Sequence, residues 1–181
     1  MPVMAETTWQ FRHPCLQDGT AITQLIAQSP PLDLNSSYLY FLQSTHFADT
    51  CLLAEKAGQL QGFISGYVRP DQSDELFIWQ VAVAKSARGQ GLASILLHQL
   101  LTRVLANSSR PIFRLSCTIG PSNLASQTLF RRFAERHQLQ VKIQDFLQAS
   151  DFAGTGHEAE NLWQLQAPNA VDLRTYLTTH S

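Results

Sequence analysis

The stretch Arg88-Gly89-Gln90-Gly91-Leu92-Ala93 decides how the rest of this sequence is interpreted. It stands between the best strand pattern, residues 76–84, and the clearest helix pattern, residues 91–105. The strand pattern is rich in residues that favour β-structure, and the helix pattern repeats leucine at the spacing of one buried face. The sequence therefore predicts a strand that turns sharply into a long helix at two glycines.

A strand-to-helix turn of this kind suits a phosphate group. Gly89 and Gly91 permit positive φ and keep side chains out of a ligand's path. The N–H groups at a helix start converge there, the helix dipole adds about half a positive charge, and Arg88 adds a full one. A Walker loop would need Gly-Lys-Ser/Thr, and a dinucleotide fingerprint would need a third glycine where Ser94 stands. A plain glycine-bearing turn without a ligand is the alternative.

Outward from this turn, the chain is read as strands and helices in a mixed order. Strand patterns cover residues 8–13, 50–56, 60–68, 76–84, 113–117 and 160–166. Helix patterns cover residues 18–27, 36–46, 91–105 and 123–137, with Asp18 expected to cap the first and Asn35 or Ser36 the second. Because the second to fourth strands follow one another without helices, we predict an α/β fold with a mixed, mostly antiparallel sheet flanked by helices. We predict one domain over residues 1–166 and a C-terminal tail over 167–181.

Composition limits the partners that we expect. Of the 181 residues, 44% are hydrophobic and 15% charged, which is enough apolar material for one folded domain. The formal net charge of -1 argues against nucleic acid and membrane surfaces as partners. The chain has no run of 18 apolar residues, and residues 1–10 lack a signal pattern, so we expect a cytoplasmic protein.

The cysteines and histidines give no metal pattern. Cys15, Cys51 and Cys117 are odd in number and widely spaced, so we expect buried free thiols rather than disulfides or a zinc site. The six histidines also lack the spacing of metal ligands. We therefore predict no metal.

Two motifs resemble those of the GCN5-related N-acetyltransferases. The loop of that family, Arg/Gln-x-x-Gly-x-Gly/Ala, is matched by Arg88, Gly91 and Ala93. Its Asn-x-x-Ala/Ser-x-x-Leu-Tyr helix is similar to Asn123, Ser126, Leu129 and Phe130. The resemblance implies this family's fold, acetyl-CoA as co-substrate, and oxyanion-stabilising N–H groups on the strand before the loop. The residues that it implies for cofactor binding are Val81, Ala82, Val83, Arg88, Gly89, Gln90, Gly91, Leu92, Ala93, Asn123, Ser126 and Phe130.

The last position of that helix departs from the family. A tyrosine there often protonates the departing thiolate, and Phe130 cannot do so. Either another group serves, or the thiolate leaves unprotonated, which a thiol with a pKa of about 8.5 does tolerably well near neutrality.

Four further segments resemble the L-2,4-diaminobutyrate acetyltransferases, which acetylate the γ-nitrogen of this diamino acid in ectoine synthesis. They are residues 31–38, 45–51, 77–81 and 156–158, and the likeness extends from about residue 11 to 166. Enzymes of that family are cytoplasmic and commonly dimeric, so the resemblance implies a homodimer. Two segments depart from it: Gly120-Pro121-Ser122 replaces Thr-Pro-Asp/Glu, and Glu158-Ala159-Glu160 replaces a more acidic run.

The resemblance also implies the substrate site. Diaminobutyrate has two ammonium groups and a carboxylate, and acidic and hydroxyl side chains suit its binding. The expected substrate-binding residues are Asp33, Asn35, Tyr38, Trp79, His157 and Glu158. Among them Asp33, His157 and Glu158 are the catalytic candidates: Asp33 and Glu158 would bind the ammonium groups, and one of the two would accept the proton directly or through water.

Each of these residues also has a structural interpretation. Asp33 could cap a turn, Trp79 could belong to the core, His157 could be a surface loop residue, and Asn123 could simply cap its helix. Two other functions stay open. One is acetylation of another small amine, such as a polyamine or diaminopropionate. The other is a non-catalytic acyl-CoA-binding module, which Phe130 would favour.

Overall fold

A computed structural model describes residues 8–154 and 156–180 of the chain. In chain order the elements are β1 (Gln10–Arg12), α1 (Gly19–Ala27), α2 (Ser37–Gln43), β2 (Cys51–Lys56), β3 (Gln59–Val68), β4 (Glu75–Val83), α3 (Leu92–Asn107), β5 (Arg114–Ile119), α4 (Leu124–Arg136), β6 (Gln140–Leu147), β7 (Glu160–Gln166) and α5 (Leu173–Thr179). The described strands form a seven-stranded sheet in the order β1-β2-β3-β4-β5-β7-β6. The predicted α/β fold with a mostly antiparallel sheet is confirmed.

The chain divides into two compact units. The first unit contains the described residues up to Ser65 together with Gln80–Leu100, and the second contains Gly66–Trp79 and the described residues from Leu101 onward. Because the boundaries fall inside β3, β4 and α3, each of these elements contributes one part to each unit.

In the first unit, α1 and α2 pack against residues of the sheet. β1 pairs antiparallel with β2, and β2 pairs antiparallel with β3. The apolar face of α1, with residues at positions i, i+3 and i+4, joins side chains of α2 and three strands in one buried cluster: Ile22, Leu25, Ile26, Tyr40, Cys51, Leu53, Phe63 and Ala82. Each fully buried large apolar side chain stabilises the fold by about 1.5–3 kcal/mol.

The predicted cap of α1 is not formed by a side chain. The carboxylate of Asp18 accepts hydrogen bonds from both terminal nitrogens of Arg12, at 2.7 and 2.8 Å, and from the backbone N–H of Cys15. It therefore forms no side-chain hydrogen bond to the amides of α1. The hydrogen bond from Arg12 lowers the pKa of Asp18 to about 2. At α2, by contrast, Ser36 is the cap and accepts from Tyr38 N, as one of the two predicted candidates.

In the second unit, β5 is a central strand. It pairs in parallel with the beginning of β4, from Glu75–Arg114 to Phe77–Ser116, and antiparallel with β7, which in turn pairs antiparallel with β6. The inner face of α4 buries Phe130, Phe133 and Ala134. This parallel pairing is the crossover that the long helix α3 makes possible, because parallel neighbours need a long connection.

A buried carboxylate joins three of these strands. Glu75 is fully buried and accepts hydrogen bonds from Arg69 (3.0 Å), Arg114 (3.0 Å), Ser116 (2.6 Å) and Gln164 (2.9 Å). Burial raises the pKa of Glu75, but the hydrogen bonds from Ser116 and Arg69 and the charge of Arg69 outweigh it. The pKa of Glu75 therefore lies below its usual value.

The structure adds to and corrects the sequence interpretation at three places. The strand β6 was not predicted, nor was α5, whose Leu173 and Tyr176 are buried in the second unit. Cys51 and Cys117 are buried free thiols as expected, but the expectation for Cys15 is wrong, because it lies in the exposed turn before α1. The division of domains at residue 166 stays a prediction. None of the helices in the described residues has the length and hydropathy needed to cross a bilayer.

Candidate active site

The glycine-rich turn lies in the first unit between the end of β4 and the start of α3. Gly89 and Gly91 have φ values of +75° and +76°, in the left-handed region that glycine tolerates best. A Cβ built on either glycine meets no atom of the described residues within 4 Å. The first N–H groups of α3, beginning at Leu92, have no intrahelical acceptor by helix geometry, so the predicted anion-binding turn has both an open approach and donors.

The side chains of this turn are used mostly to hold its backbone. The guanidinium of Arg88 donates to the carbonyl oxygen of Val83 at 3.1 Å and, more weakly, to that of Gln28 at 3.5 Å. The Gln90 side chain donates to Ser86 O at 3.0 Å. Leu92 is buried, so it can offer a ligand only its backbone N–H, whereas Ala93 is half-buried.

The end of β4 leads into this turn with alternating exposure. Ala82 is buried in the core cluster of the first unit, while Val81 and Val83 are half-buried on the other face. Successive side chains of a strand point to opposite faces, as these burial classes show. The role expected for residues 81–83, which is to offer backbone N–H groups to an oxyanion, stays a prediction.

Three predicted substrate residues lie on or next to the α1–α2 loop, residues 28–36. Asp33 is exposed and Asn35 is half-buried, and Tyr38 in the first turn of α2 is 67% exposed. The exposure of Tyr38 leaves its ring accessible to a ligand and is equally what an ordinary outward-facing residue of an amphipathic helix shows.

Sequence reasoning missed two buried residues that contact this loop. Gln80 on β4 donates from Nε2 to the carbonyl oxygen of Asp33 at 2.7 Å, and the hydroxyl of Tyr40 accepts from Asn35 N at 3.1 Å. Gln80 is a polar residue inside a strongly apolar strand, and this was the one signal in the sequence that could have indicated it.

In the second unit, Trp79 is largely surface-exposed. It is 45% exposed, and its ring packs edge-on to that of Tyr67 with the centroids 6.0 Å apart. An exposed indole braced by a neighbouring ring can form the wall of a binding site, and its exposure disfavours the core interpretation.

Hydrogen bonds and a ring contact hold the side chains of His157 and Glu158 in place. Glu158 accepts from Ser122 through the backbone N–H, at 3.2 and 3.3 Å to its two oxygens, and through Oγ at 2.8 Å. The Nδ1 of His157 lies 2.7 Å from the carbonyl oxygen of Glu158, which can only accept, so Nδ1 is the donor in this hydrogen bond. The imidazole stacks on Phe152 at 3.9 Å between ring centroids. These contacts fix the imidazole plane and the carboxylate.

Gly120 makes the position of Glu158 possible. A Cβ on residue 120 would overlap the Glu158 carboxylate, so that carboxylate lies directly against the glycine backbone. Two residues of the segment Gly120-Pro121-Ser122, which departs from the family pattern, therefore contact Glu158. Gly120 leaves space for its carboxylate, and Ser122 donates hydrogen bonds to it.

The predicted residues of α4 lie at its first turns. Asn123 caps the helix, its Oδ1 accepting from the backbone N–H of Ser126 at 3.1 Å, so its capping role is real. Ser126 is half-buried, whereas Phe130 is only 3% exposed and belongs to the inner face of the helix.

Comparisons with known proteins agree with this geometry. Residues 20–134 match the family model of the acetyltransferase (GNAT) family. The L-2,4-diaminobutyric acid acetyltransferase of Vibrio cholerae serotype O1 is 45% identical over 157 residues, which cover 87% of this chain and 89% of that one. The chain belongs to the GNAT acetyltransferases, within the diaminobutyrate acetyltransferases. The enzyme of the same name from Halomonas elongata is 41% identical over 153 residues, covering 84% of this chain and 78% of the other.

A solved structure is also similar to this acetyltransferase. The diaminobutyrate acetyltransferase EctA from Paenibacillus lautus, in complex with L-2,4-diaminobutyric acid and coenzyme A, superposes with a TM-score of 0.83 at 38% identity. The match covers 88% of this chain and 95% of that one. As a GNAT enzyme, this acetyltransferase uses acetyl-CoA as co-substrate.

Proposed function

We propose that this acetyltransferase transfers the acetyl group of acetyl-CoA to the γ-amine of L-2,4-diaminobutyrate, the acetylation step of ectoine biosynthesis. The observation that carries the proposal is the glycine turn at the start of α3, with its two positive-φ glycines and the open space beside them. The diamine is proposed from relatives that carry this name at 36–45% identity.

The proposed reaction is a direct acyl transfer. The neutral γ-amine attacks the thioester carbon, a C–N bond forms, and the C–S bond breaks to release the thiolate of coenzyme A. The attacking nitrogen then gives up a second proton to water, and the thiolate takes up a proton after it has left. An alkylammonium has a pKa near 10, so the amine must first lose a proton. We assign oxyanion stabilisation to the backbone N–H groups of residues 81–83, and diphosphate binding to residues 88–93. Asn123, Ser126 and Phe130 are assigned to the pantetheine arm.

We assign the ammonium groups of the substrate to two carboxylates. Asp33 is exposed on a loop whose backbone is fixed by hydrogen bonds, and Glu158 is held by Ser122. One of the two accepts the proton of the γ-ammonium, directly or through water. Asn35, Tyr38, Trp79 and His157 are assigned to the polar and aromatic lining of the substrate site.

The decisive experiment is product analysis. Acetyl-CoA is incubated with L-2,4-diaminobutyrate, 2,3-diaminopropionate or a polyamine, and products are followed by mass spectrometry and NMR. We expect a single acetyl group on the γ-nitrogen of diaminobutyrate and the highest kcat/KM for that amine. Preference for another amine would support the broader alternative, and stabilisation by acetyl-CoA without any acetylated product would support a binding module.

Two isosteric variants test the carboxylates separately. Asp33→Asn and Glu158→Gln keep shape but remove the negative charge. We expect the variant of the general base to lower kcat about 100-fold or more, and the other to raise mainly the KM of the diamine. Equal kcat and KM to the unmodified enzyme in either variant would remove that residue from the site.

We also propose that the enzyme is a cytoplasmic homodimer. β6 is the edge strand of the sheet and is exposed along its length, with Val141, Ile143 and Phe146 on its surface. An unprotected edge of this kind is suited to pairing with a second copy. We expect light scattering to give the mass of two chains and Ile143→Lys to reduce it to one, whereas Leu124→Lys, at an exposed leucine on α4, should leave it unchanged.

A further inference from the structure

The α1–α2 loop, residues 28–36, is held at two backbone atoms by buried side chains. Gln80, which is 5% exposed, donates to the carbonyl oxygen of Asp33. Tyr40, which is fully buried, accepts from the N–H of Asn35 through its hydroxyl. The two bonds fix the backbone on both sides of residue 34.

Stability alone does not explain Gln80. The carbonyl oxygen of Asp33 can only accept, so the amide nitrogen of Gln80 must face it. The amide oxygen Oε1 is then buried and finds no hydrogen-bond partner among the described residues. A buried acceptor without a donor lowers stability and offsets the stabilisation that the hydrogen bond to Asp33 provides.

The position of Gln80 on β4 lets it reach the loop. Gln80 and Ala82 are two residues apart, so they point to the same face of the strand. Ala82 lies in the core cluster with residues of α1 and α2, and Tyr40 belongs to the same cluster. The loop that connects the two helices therefore lies over this face, within reach of an amide at residue 80 and a phenol at residue 40.

We propose that Gln80 and Tyr40 are positioning residues for the acceptor amine. By fixing the backbone at Asp33 and at Asn35, they hold the carboxylate and the amide of these side chains at a constant separation. The inference rests on the proposed function, in which Asp33 and Asn35 bind the diamine. A positioned pair binds more tightly than a mobile pair, because less conformational freedom is lost on binding.

Gln80→Met tests the first contact, because methionine has nearly the same length and no hydrogen-bonding amide. Gln43→Met is the matched control: Gln43 is also a buried glutamine of the first unit with an unpartnered Oε1, but it lies in α2 outside the loop. We expect Gln80→Met to raise the KM of diaminobutyrate about fivefold or more. The KM of acetyl-CoA should change less than about twofold, and the melting temperature should not fall more than in Gln43→Met.

Tyr40→Phe tests the second contact and keeps the ring in the core. We expect a smaller rise in the KM of the diamine and faster amide exchange at Asn35, whose N–H loses its acceptor. The amide exchange rate of residues 32–36 is the readout that does not depend on the substrate, and it should also increase in Gln80→Met.

The outcomes separate this inference from the proposed function. If the unmodified enzyme does not acetylate diaminobutyrate, the proposed function fails, and the exchange rates still decide whether the two residues fix the loop. If it does acetylate diaminobutyrate and both variants keep the KM of the diamine, the positioning inference is wrong. Equal changes in the KM of both substrates, or a loss of folding shared by both Gln→Met variants, would also overturn it by indicating a general structural role.

Discussion

Gly91→Ala is the most direct test of the glycine turn. Gly91 has a φ of +76°, and a Cβ built there meets no atom of the described residues within 4 Å. The substitution therefore introduces backbone strain and a methyl group that projects into open space, without a clash inside the protein. Any loss of affinity for coenzyme A that the backbone strain does not explain must therefore come from contact between the added methyl group and the ligand.

Two magnitudes follow from this geometry. An L-residue in the left-handed region costs about 1–2 kcal/mol, which lowers the free energy of unfolding by that amount. If the methyl group pushes a phosphate oxygen away from one backbone N–H donor, one hydrogen bond to a charged group is lost. That interaction is worth about 1.5–3 kcal/mol, or about a 10- to 150-fold weaker Kd for coenzyme A.

The chain offers a matched control for the strain. Gly58, in the turn between β2 and β3, has a φ of +73° and is equally unobstructed. We expect Gly58→Ala and Gly91→Ala to lose similar stability in urea unfolding. Only Gly91→Ala should weaken coenzyme A in calorimetry, with the KM of the diamine nearly unchanged. An unchanged Kd for coenzyme A in Gly91→Ala, together with the expected loss of stability, would refute diphosphate binding at this turn.

Three further substitutions, one of them with a matched control, test a buried carboxylate, the glycine beside Glu158 and a salt bridge before α1. Glu75→Ala should lower the free energy of unfolding by about 3 kcal/mol at pH 7, whereas Asp71→Ala, at the exposed partner of Arg69, should change it far less. Equal losses in urea would contradict the role of burial. Because the pKa of Glu75 is lowered, its contribution is present above the unfolded-state pKa and is lost as the pH falls through the folded-state pKa. Gly120→Ala should displace the Glu158 carboxylate and raise the KM of the diamine about fivefold, with that of acetyl-CoA unchanged; a shift in both KM values would count against it. Asp18→Asn should lower the free energy of unfolding by about 1 kcal/mol at pH 7, after allowance for solvent screening. The difference in stability from the unmodified protein should disappear as the pH falls from about 4 to about 2. A difference that persists below pH 2 would contradict the lowered pKa of Asp18.

The periodic elements of this fold could be predicted from sequence, and the irregular ones could not. The strand β4 and the helix α3 have strong apolar patterns, and their ends were placed within two residues. β6 carries only a short alternation, with Val141 and Ile143 between polar neighbours, and the sequence interpretation passed over it although it predicts a strand. Cys15 was misplaced because an isolated cysteine beside apolar residues gives no information on which side of a turn faces solvent.

The same distinction applies to the candidate site. The glycine turn was predictable because its strand, glycines and helix start are adjacent in sequence. The bond from Gln80 to Asp33 joins residues 47 positions apart, and the bond from Ser122 to Glu158 joins residues 36 positions apart. Such pairs are set by tertiary packing, so sequence reasoning could name Asp33 and Glu158 but not the residues that hold them.

The energetics of the two proton transfers explain why this family position can be a phenylalanine. At pH 7, deprotonation of an ammonium group with a pKa near 10 costs about 4 kcal/mol of free energy, since each pKa unit is about 1.36 kcal/mol. A coenzyme thiolate with a pKa of about 8.5 leaves more readily than the competing amine, and its later protonation is downhill by only about 2 kcal/mol at that pH. The larger demand is therefore for a base near the amine, and this is the role that we propose for Asp33 or Glu158. Phe130, which is buried, replaces the tyrosine that would protonate the departing thiolate, and protonation of the thiolate is the smaller of the two demands. Its presence therefore does not favour a chain that binds acyl-CoA without catalysis.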